Sequence, residues 1–214
     1  MTVLEGLFPE QVRCFMSTDF PDDFNLLGTE RDQLAAMTAG RQREFIHGRS
    51  CARLALAGLG HADCAIPSGP QRAPVWPDGI VGSISHCGDA AVAAVAHRND
   101  VGGIGLDLEA REELDRNLLP MICLPHELAV IETSEFGLLL AKLVFSAKES
   151  VFKCIWPRVQ RFVDFLEVGV ELDLDASRFV ARPHSADLPD SLFRALHGRI
   201  GQADQLFVTA AYFD

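Results

Sequence analysis

A chain of 214 residues, 48% of them apolar and 23% charged, has enough apolar mass to build a folded core. That excludes disorder as the main state and allows either one large domain or two small lobes. Its 30 acidic residues outnumber 19 lysines and arginines, and the net charge of −11 argues against non-specific binding to nucleic acid or anionic membranes.

In chain order, residues 29–59 have helical character, broken into two pieces, with Thr29 and Asp32 resembling a capping box and Gly58 and Gly60 supplying a stop. Within this region residues 41–53 hold Arg41, Arg43, Arg49 and Arg53 against the single acid Glu44, a local excess of positive charge suited to an anionic ligand. Arg49 and Arg53 are four apart and share a helical face. Residues 61–79 carry so many Pro and Gly residues that they read as a loop.

Three short apolar runs follow, 80–84, 90–96 and 101–108, which read as adjacent strands joined by tight connections. The first ends in Gly82-Ser83-Ile84-Ser85-His86-Cys87, a strand end where Ser85 and His86 suit an anion contact. A hydrolytic triad fits poorly, because Ser85 and His86 are neighbours and no G-x-S-x-G elbow is present. In the third run Asp107 and Glu109 are two apart, so the pleat turns both carboxylates to one face. A solvated strand end would explain that pattern; so would a hard divalent cation, for which carboxylate oxygens are natural ligands.

A second helical region covers 125–156. Val144, Ala147, Val151, Cys154 and Ile155 form a core stripe, with Lys142, Phe145, Glu149, Lys153 and Trp156 on another face. Glu149 and Lys153 have the spacing and order of a plain helix ion pair. Yet the chain has 16 arginines and only 3 lysines, Lys142, Lys148 and Lys153, all within this helix, which points to lysine chemistry around Glu149. Strand-like segments at 162–172, 177–182 and 205–213 complete the chain. Six cysteines show no CxxC or zinc-like spacing and read as reduced, mostly buried thiols. The start MTVLEGLFPEQVRCF has no leader pattern and no run of ~18 apolar residues occurs, so a cytoplasmic location is expected.

Five blocks in this order, HGRSCARLAL (47–56), APVWP (73–77), GSISHC (82–87), GIGLDLE (103–109) and FSAKESVFK (145–153), resemble the 4′-phosphopantetheinyl transferases of the surfactin/enterobactin type, on the branch of enterobactin synthetase component D. The resemblance implies an α/β (α+β) fold of two similar lobes in pseudo-twofold arrangement, each a helix on a small, mainly antiparallel sheet. It divides the chain into 1–106 and 107–214, with coenzyme A between the lobes. It further implies transfer of phosphopantetheine from coenzyme A to a serine of an apo acyl, peptidyl or aryl carrier protein, releasing adenosine 3′,5′-bisphosphate.

By the same resemblance Asp107, Glu109 and Glu149 would hold Mg²⁺, with Mn²⁺ equally open to such oxygen ligands. Glu149 would act as base on the serine, directly or through water, and Lys153 would meet the departing bisphosphate. Lys148 would hold the pyrophosphate, and Arg41, Arg49, Arg72, Ser85 and His86 would bind the nucleotide end. Arg53 either shields the site or pairs with a nearby acid. Carrier docking is expected on Leu118–Leu124 with Arg111 and Arg116, and a monomer would suffice. The rival reading is a metal-dependent phosphohydrolase or nuclease using the same acids; the net charge of −11 counts against a nuclease. A non-enzymatic binding module leaves Glu149 and its lysines unexplained.

Overall fold

The alanine-rich run of residues 90–96 is buried along its whole length, which forces other elements onto both faces of a strand at this place in the chain. The computed structural model describes residues 4–20, 26–203 and 205–214. Its elements are β1 (Arg13–Ser17), α1 (Thr29–Leu34), α2 (Ala39–Ala57), β2 (Ile80–Cys87), β3 (Ala90–His97), β4 (Gly103–Ala110), α3 (Leu119–Ile122), α4 (Pro125–Thr133), α5 (Gly137–Val159), β5 (Val168–Asp173), β6 (Arg178–Pro183), α6 (Asp190–Arg194), β7 (Leu196–Ala203) and β8 (Leu206–Phe213). Contacts group Pro9–Ile104 into one unit and Gly105–Asp214, with the chain up to Phe8, into a second. The division falls two residues before the expected 106/107.

In the first unit the sheet order is β1-β3-β2, all antiparallel. α2 covers one face through Cys51, Ala52, Ala55 and Leu56 packed on Ile80, Ala91, Ala93 and Val95. The approach is close enough that a Cβ at Gly48 would stand 2.8 Å from the Ile84 side chain, so glycine is needed there. In the second unit the order is β4-β8-β7-β6-β5, and α5 packs Ala147, Val151, Cys154 and Ile155 against Val168, Val170, Phe179, Ala211 and Phe213. Burying a Val or Ile side chain of this stripe is worth roughly 1.5–3 kcal/mol. A buried hydroxyl pair, Ser146 with Thr209 at 2.9 Å, ties α5 to β8, and the Thr209 hydroxyl also donates to the Ser146 carbonyl.

The mixed helix and antiparallel-sheet architecture agrees with the expected class, with local corrections. The expected first helical region is α1 and α2 separated at 35–38. Thr29 does not cap α1; Gly28 stands at the cap with φ +48°, and the Glu30 carboxylate instead accepts from the Leu27 amide. The third apolar run is not adjacent to the other two: β4 lies beside β8, because neighbourhood in sequence does not choose a strand's partner. The region 125–156 breaks at 134–136 into α4 and α5, and regular strand after α5 begins only at Val168. β1, α6 and β7 add to the expected elements. β7 escapes a sequence reading because Gly198 and Gly201 interrupt its pattern, yet a Cβ at Gly198 would collide with the Phe179 carbonyl and ring.

None of the six cysteines is in a disulfide, and Cys51, Cys123 and Cys154 are buried. Burial pushes the thiols of Cys14 and Cys51 up to about 12 and that of Cys123 up to about 11, so they stay protonated at neutral pH. Among the described residues no helix is long and apolar enough to cross a membrane.

Candidate active site

The second unit gathers the acids. Asp107 and Glu109 alternate along β4 with Leu106 and Leu108, which are fully buried, while Glu149 sits half-buried on α5. Gly105 sets the distance between these two elements: a Cβ there would run into the Ser150 carbonyl and stand 2.6 Å from the Cys154 nitrogen. The strand therefore lies directly on the helix turn that carries Glu149.

Lysines answer the acids. Lys153 Nζ donates to Asp107 Oδ1 at 2.7 Å and to the Leu106 carbonyl at 3.1 Å, and Lys142 Nζ donates to Glu109 Oε2 at 3.1 Å. The plain helix pair expected between Glu149 and Lys153 gives way to this cross-element pair with Asp107. Burial pushes the Glu149 carboxyl above its ordinary range; Lys153 opposes that shift, while Asp107 and Glu109 add to it. Glu109 is raised by burial and by Asp107, with Lys142 opposing. The three carboxylates thus share one electrostatic field, and ionising all of them together needs added positive charge.

The donor set fits a hard divalent cation by chemistry: carboxylate oxygens only, partly dehydrated, with mutual repulsion to relieve. Among the described residues, however, no three His, Cys, Asp or Glu side chains converge closely enough to hold a metal ion by themselves. Asp107 and Glu109 are instead drawn onto Lys153 and Lys142. That arrangement suits Mg²⁺, which is commonly held by one or two carboxylates with substrate phosphates and water completing its shell.

Lys148 departs from its expected role. Its ammonium is 1% exposed and spends all three hydrogens inside the protein, on Glu127 Oε2 (2.7 Å), the Ile122 carbonyl (2.7 Å) and the Phe165 carbonyl (3.0 Å). Burial lowers its pKa and the Glu127 carboxylate opposes the change. The helical phase explains the discrepancy: Lys148 is one residue from Glu149, hence about 100° round the helix and on the inward side.

In the first unit Arg41 and His86 meet. Arg41 Nη1 lies 2.8 Å from His86 Nε2 and 2.9 Å from Glu44 Oε2, and His86 Nε2 is 3.5 Å from the same carboxylate oxygen. All three are partly exposed, and the Arg41 hydrogen bond holds the Glu44 carboxyl below its ordinary range. Arg49, 6% exposed, donates to the Ile66 carbonyl and to Ser68 Oγ (3.1 Å) and stacks 4.3 Å from the Phe45 ring centroid. Burial pulls its pKa down to about 10 against the pull of Glu30. Arg53 pairs with an acid, Glu30, at 2.7 Å.

Ser85 is 6% exposed on the sheet face opposite His86, since side chains alternate along β2. Arg72 is exposed in a turn where Gln71 and Arg72 both have left-handed backbones, φ +53° and +62°, braced by the Gly69 amide bonded to the Ala73 carbonyl at 2.8 Å. The sequence placed Lys142 on the Glu149 face without pairing it to Glu109, and gave no role to Glu30 or Glu127. Glu127 could have been found from the Leu-Pro-His-Glu helix start, whose glutamate reaches back to the Leu124 amide at 2.6 Å.

Comparison with known proteins covers both units. The family model of the 4′-phosphopantetheinyl transferase N-terminal domain matches residues 29–96, and that of the 4′-phosphopantetheinyl transferase superfamily matches residues 103–207. The chain is 36% identical over 173 residues to the 4′-phosphopantetheinyl transferase Npt of Nocardia iowensis, covering 81% of this chain and 78% of that protein. It is 35% identical over 167 residues to PptT of Mycobacterium tuberculosis, covering 76% of this chain and 74% of that one. With enterobactin synthase component D of Escherichia coli the identity is 39% over 141 residues, 62% of this chain and 63% of the relative.

Proposed function

This chain belongs to the 4′-phosphopantetheinyl transferase superfamily, enzymes that place phosphopantetheine on carrier proteins, and from that premise we propose that it splits the pyrophosphate of coenzyme A in a Mg²⁺-dependent transfer to a carrier serine. The observation that carries this reading is the meeting of β4 and α5, where Asp107, Glu109 and Glu149 share one field with Lys153 and Lys142. A divalent cation held among Asp107, Glu109 and Glu149, with pyrophosphate oxygens and water completing its shell, would supply charge neutralisation at the pyrophosphate.

The serine oxygen bonds to the phosphorus on the pantetheine side as the bond from that phosphorus to the bridging oxygen breaks. The serine proton passes to Glu149, directly or across a water. A cation on Glu149 would weaken it as a base, so the relay across a water is the easier of the two routes. Lys153, one helical turn further on and bonded to Asp107, would meet the charge gathering on adenosine 3′,5′-bisphosphate. Arg41 and His86 bind phosphate at the nucleotide end, displacing Glu44, and Arg72 offers a further cation from its constrained turn.

Incubation of the protein with an apo carrier protein, coenzyme A and Mg²⁺ should raise the intact mass of the carrier by one phosphopantetheine. Absence of the adduct on acyl, peptidyl and aryl carriers alike, with phosphate released from nucleotides instead, would move the protein to the phosphohydrolase reading.

Within the expected docking stretch Leu118–Leu124 the structure buries Leu119, Ile122, Cys123 and Leu124 in the core, so the carrier is proposed to dock on what is left outside, Leu118 at 39% and Met121 at 64% exposed, beside Arg111 and Arg116. Both arginines are exposed and would face an acidic carrier. Charge reversal at both positions should raise the carrier KM about tenfold or more and leave that for coenzyme A unchanged; an unchanged carrier KM removes this surface from docking. A cytoplasmic, monomeric enzyme is the setting this reading assumes.

A further inference from the structure

Two buried glutamates, one in each unit, each accept three hydrogen bonds from the protein around them. Glu127 accepts from the Leu124 amide (2.6 Å), the Val170 amide (2.7 Å) and Lys148 Nζ (2.7 Å), with its side chain 1% exposed. Glu30 accepts from the Leu27 amide, the Ile66 amide and Arg53 Nη2, each at 2.7 Å, and is fully buried. The wiring is the same in each unit. A glutamate in the first turn of a short helix reaches back three residues, takes a cation from the long helix, and clamps a backbone amide from a later segment.

We infer that Glu127 and Lys148 are a positioning pair, fixing the rotation of α5 so that Glu149 stays on the face it shares with Asp107 and Glu109. The inference rests on the role proposed above for Glu149. Lys148 has three hydrogens and three acceptors, contributed by three different segments: Ile122 at the end of α3, Glu127 in α4, and Phe165 in the turn before β5. Val170 of β5, bonded to the other Glu127 oxygen, closes the circuit. Any rotation of α5 would pull the ammonium from all three acceptors at once and strand it in a buried place, which is strongly unfavourable. Because Glu149 is the next residue, the clamp acts on its direction with almost no intervening slack. A direct contact of Lys148 with substrate would require breaking the same bonds.

The test is a split between binding and turnover. Glu127→Gln and Lys148→Met each leave one buried charge unpaired, so the informative protein is the double variant Glu127→Gln/Lys148→Met, which is neutral at this place. Its fold is followed by circular dichroism, its coenzyme A affinity by calorimetry, and kcat and both KM values by carrier modification.

The expected result is a folded double variant with coenzyme A Kd within about threefold of the parent and kcat lower by roughly 10- to 100-fold, the range that misplacing a reacting group by about an ångström produces. A kcat unchanged in the folded double variant would make the pair purely structural, and a tenfold weaker coenzyme A Kd with kcat retained would make Lys148 a ligand; either overturns the inference. A double variant that does not fold would assign the pair to stability alone and overturn it as well. If Glu149→Gln retained full activity while the double variant lost it, the base assignment would fail and the positioning role would have to be sought at Lys153 instead.

Discussion

Glu149→Gln is expected to lower kcat for phosphopantetheine transfer by about 10²- to 10⁴-fold, the range that general acid–base catalysis supplies. The substitution keeps the shape of a half-buried side chain but removes a carboxylate that burial, Asp107 and Glu109 already push toward holding a proton. Removing one of three mutually repelling acids relieves repulsion, so the folded state should not weaken. Thermal melting of the variant at or above the parent temperature, together with the loss of kcat, is the combined signature. Activity within threefold of the parent would take Glu149 out of the mechanism, while a melting temperature well below it would make the loss of activity uninformative about chemistry.

Gly105→Ala should be the most damaging single-methyl change in the protein. The added carbon would collide with the Ser150 carbonyl and press on Cys154, and backbone atoms cannot yield as a flexible side-chain end can. Overpacking of this kind costs roughly 1–3 kcal/mol, occasionally more, and the upper end is expected here, with the melting temperature down by about 10 °C. The change also spreads β4 from α5, separating Asp107 from Glu149, so turnover should fall below what lost stability alone accounts for. Gly40→Ala is the control: it stands near the start of α2 with open space around its would-be Cβ, and helix propensity favours alanine. A melting temperature for Gly105→Ala equal to that of Gly40→Ala would refute the close packing of strand on helix.

What the sequence made legible follows from periodicity. The pleat placed Asp107 and Glu109 on one side of β4, and the helical repeat separated the buried stripe Val144, Ala147, Val151, Cys154 and Ile155 from the half-exposed Lys142, Glu149 and Lys153. What it hid depends on long-range choice. Lys148 carries the same charge as Lys153, and its helical phase turns it inward; what the sequence hides is that Glu127, 21 residues upstream, waits there to receive it. Ser85 and His86 are neighbours along the chain but lie on opposite sides of a sheet. Arg49 and Arg53 share a helix face as expected, yet both are bonded within the first unit, one to the Ile66 carbonyl and Ser68, the other to Glu30. Of the local excess of positive charge read from residues 41–53, Arg41 is the guanidinium that meets His86 at a partly exposed place. β7 was hidden for another reason: its Gly198 is required by the Phe179 carbonyl and ring it lies against, a demand invisible until the neighbouring strand is known.

The scarcity of lysine has a chemical corollary. With 3 lysines in the whole sequence, all on α5, and one of them 1% exposed, the side-chain amines reachable by an electrophile are Lys142 and Lys153, each beside an acid of β4. Acylation, carbamylation or aldehyde adducts on this protein's lysines therefore fall almost entirely beside Asp107 and Glu109, so if the proposed centre is the reacting one, covalent wear on these amines would be registered as lost turnover before it changed any other surface of the molecule.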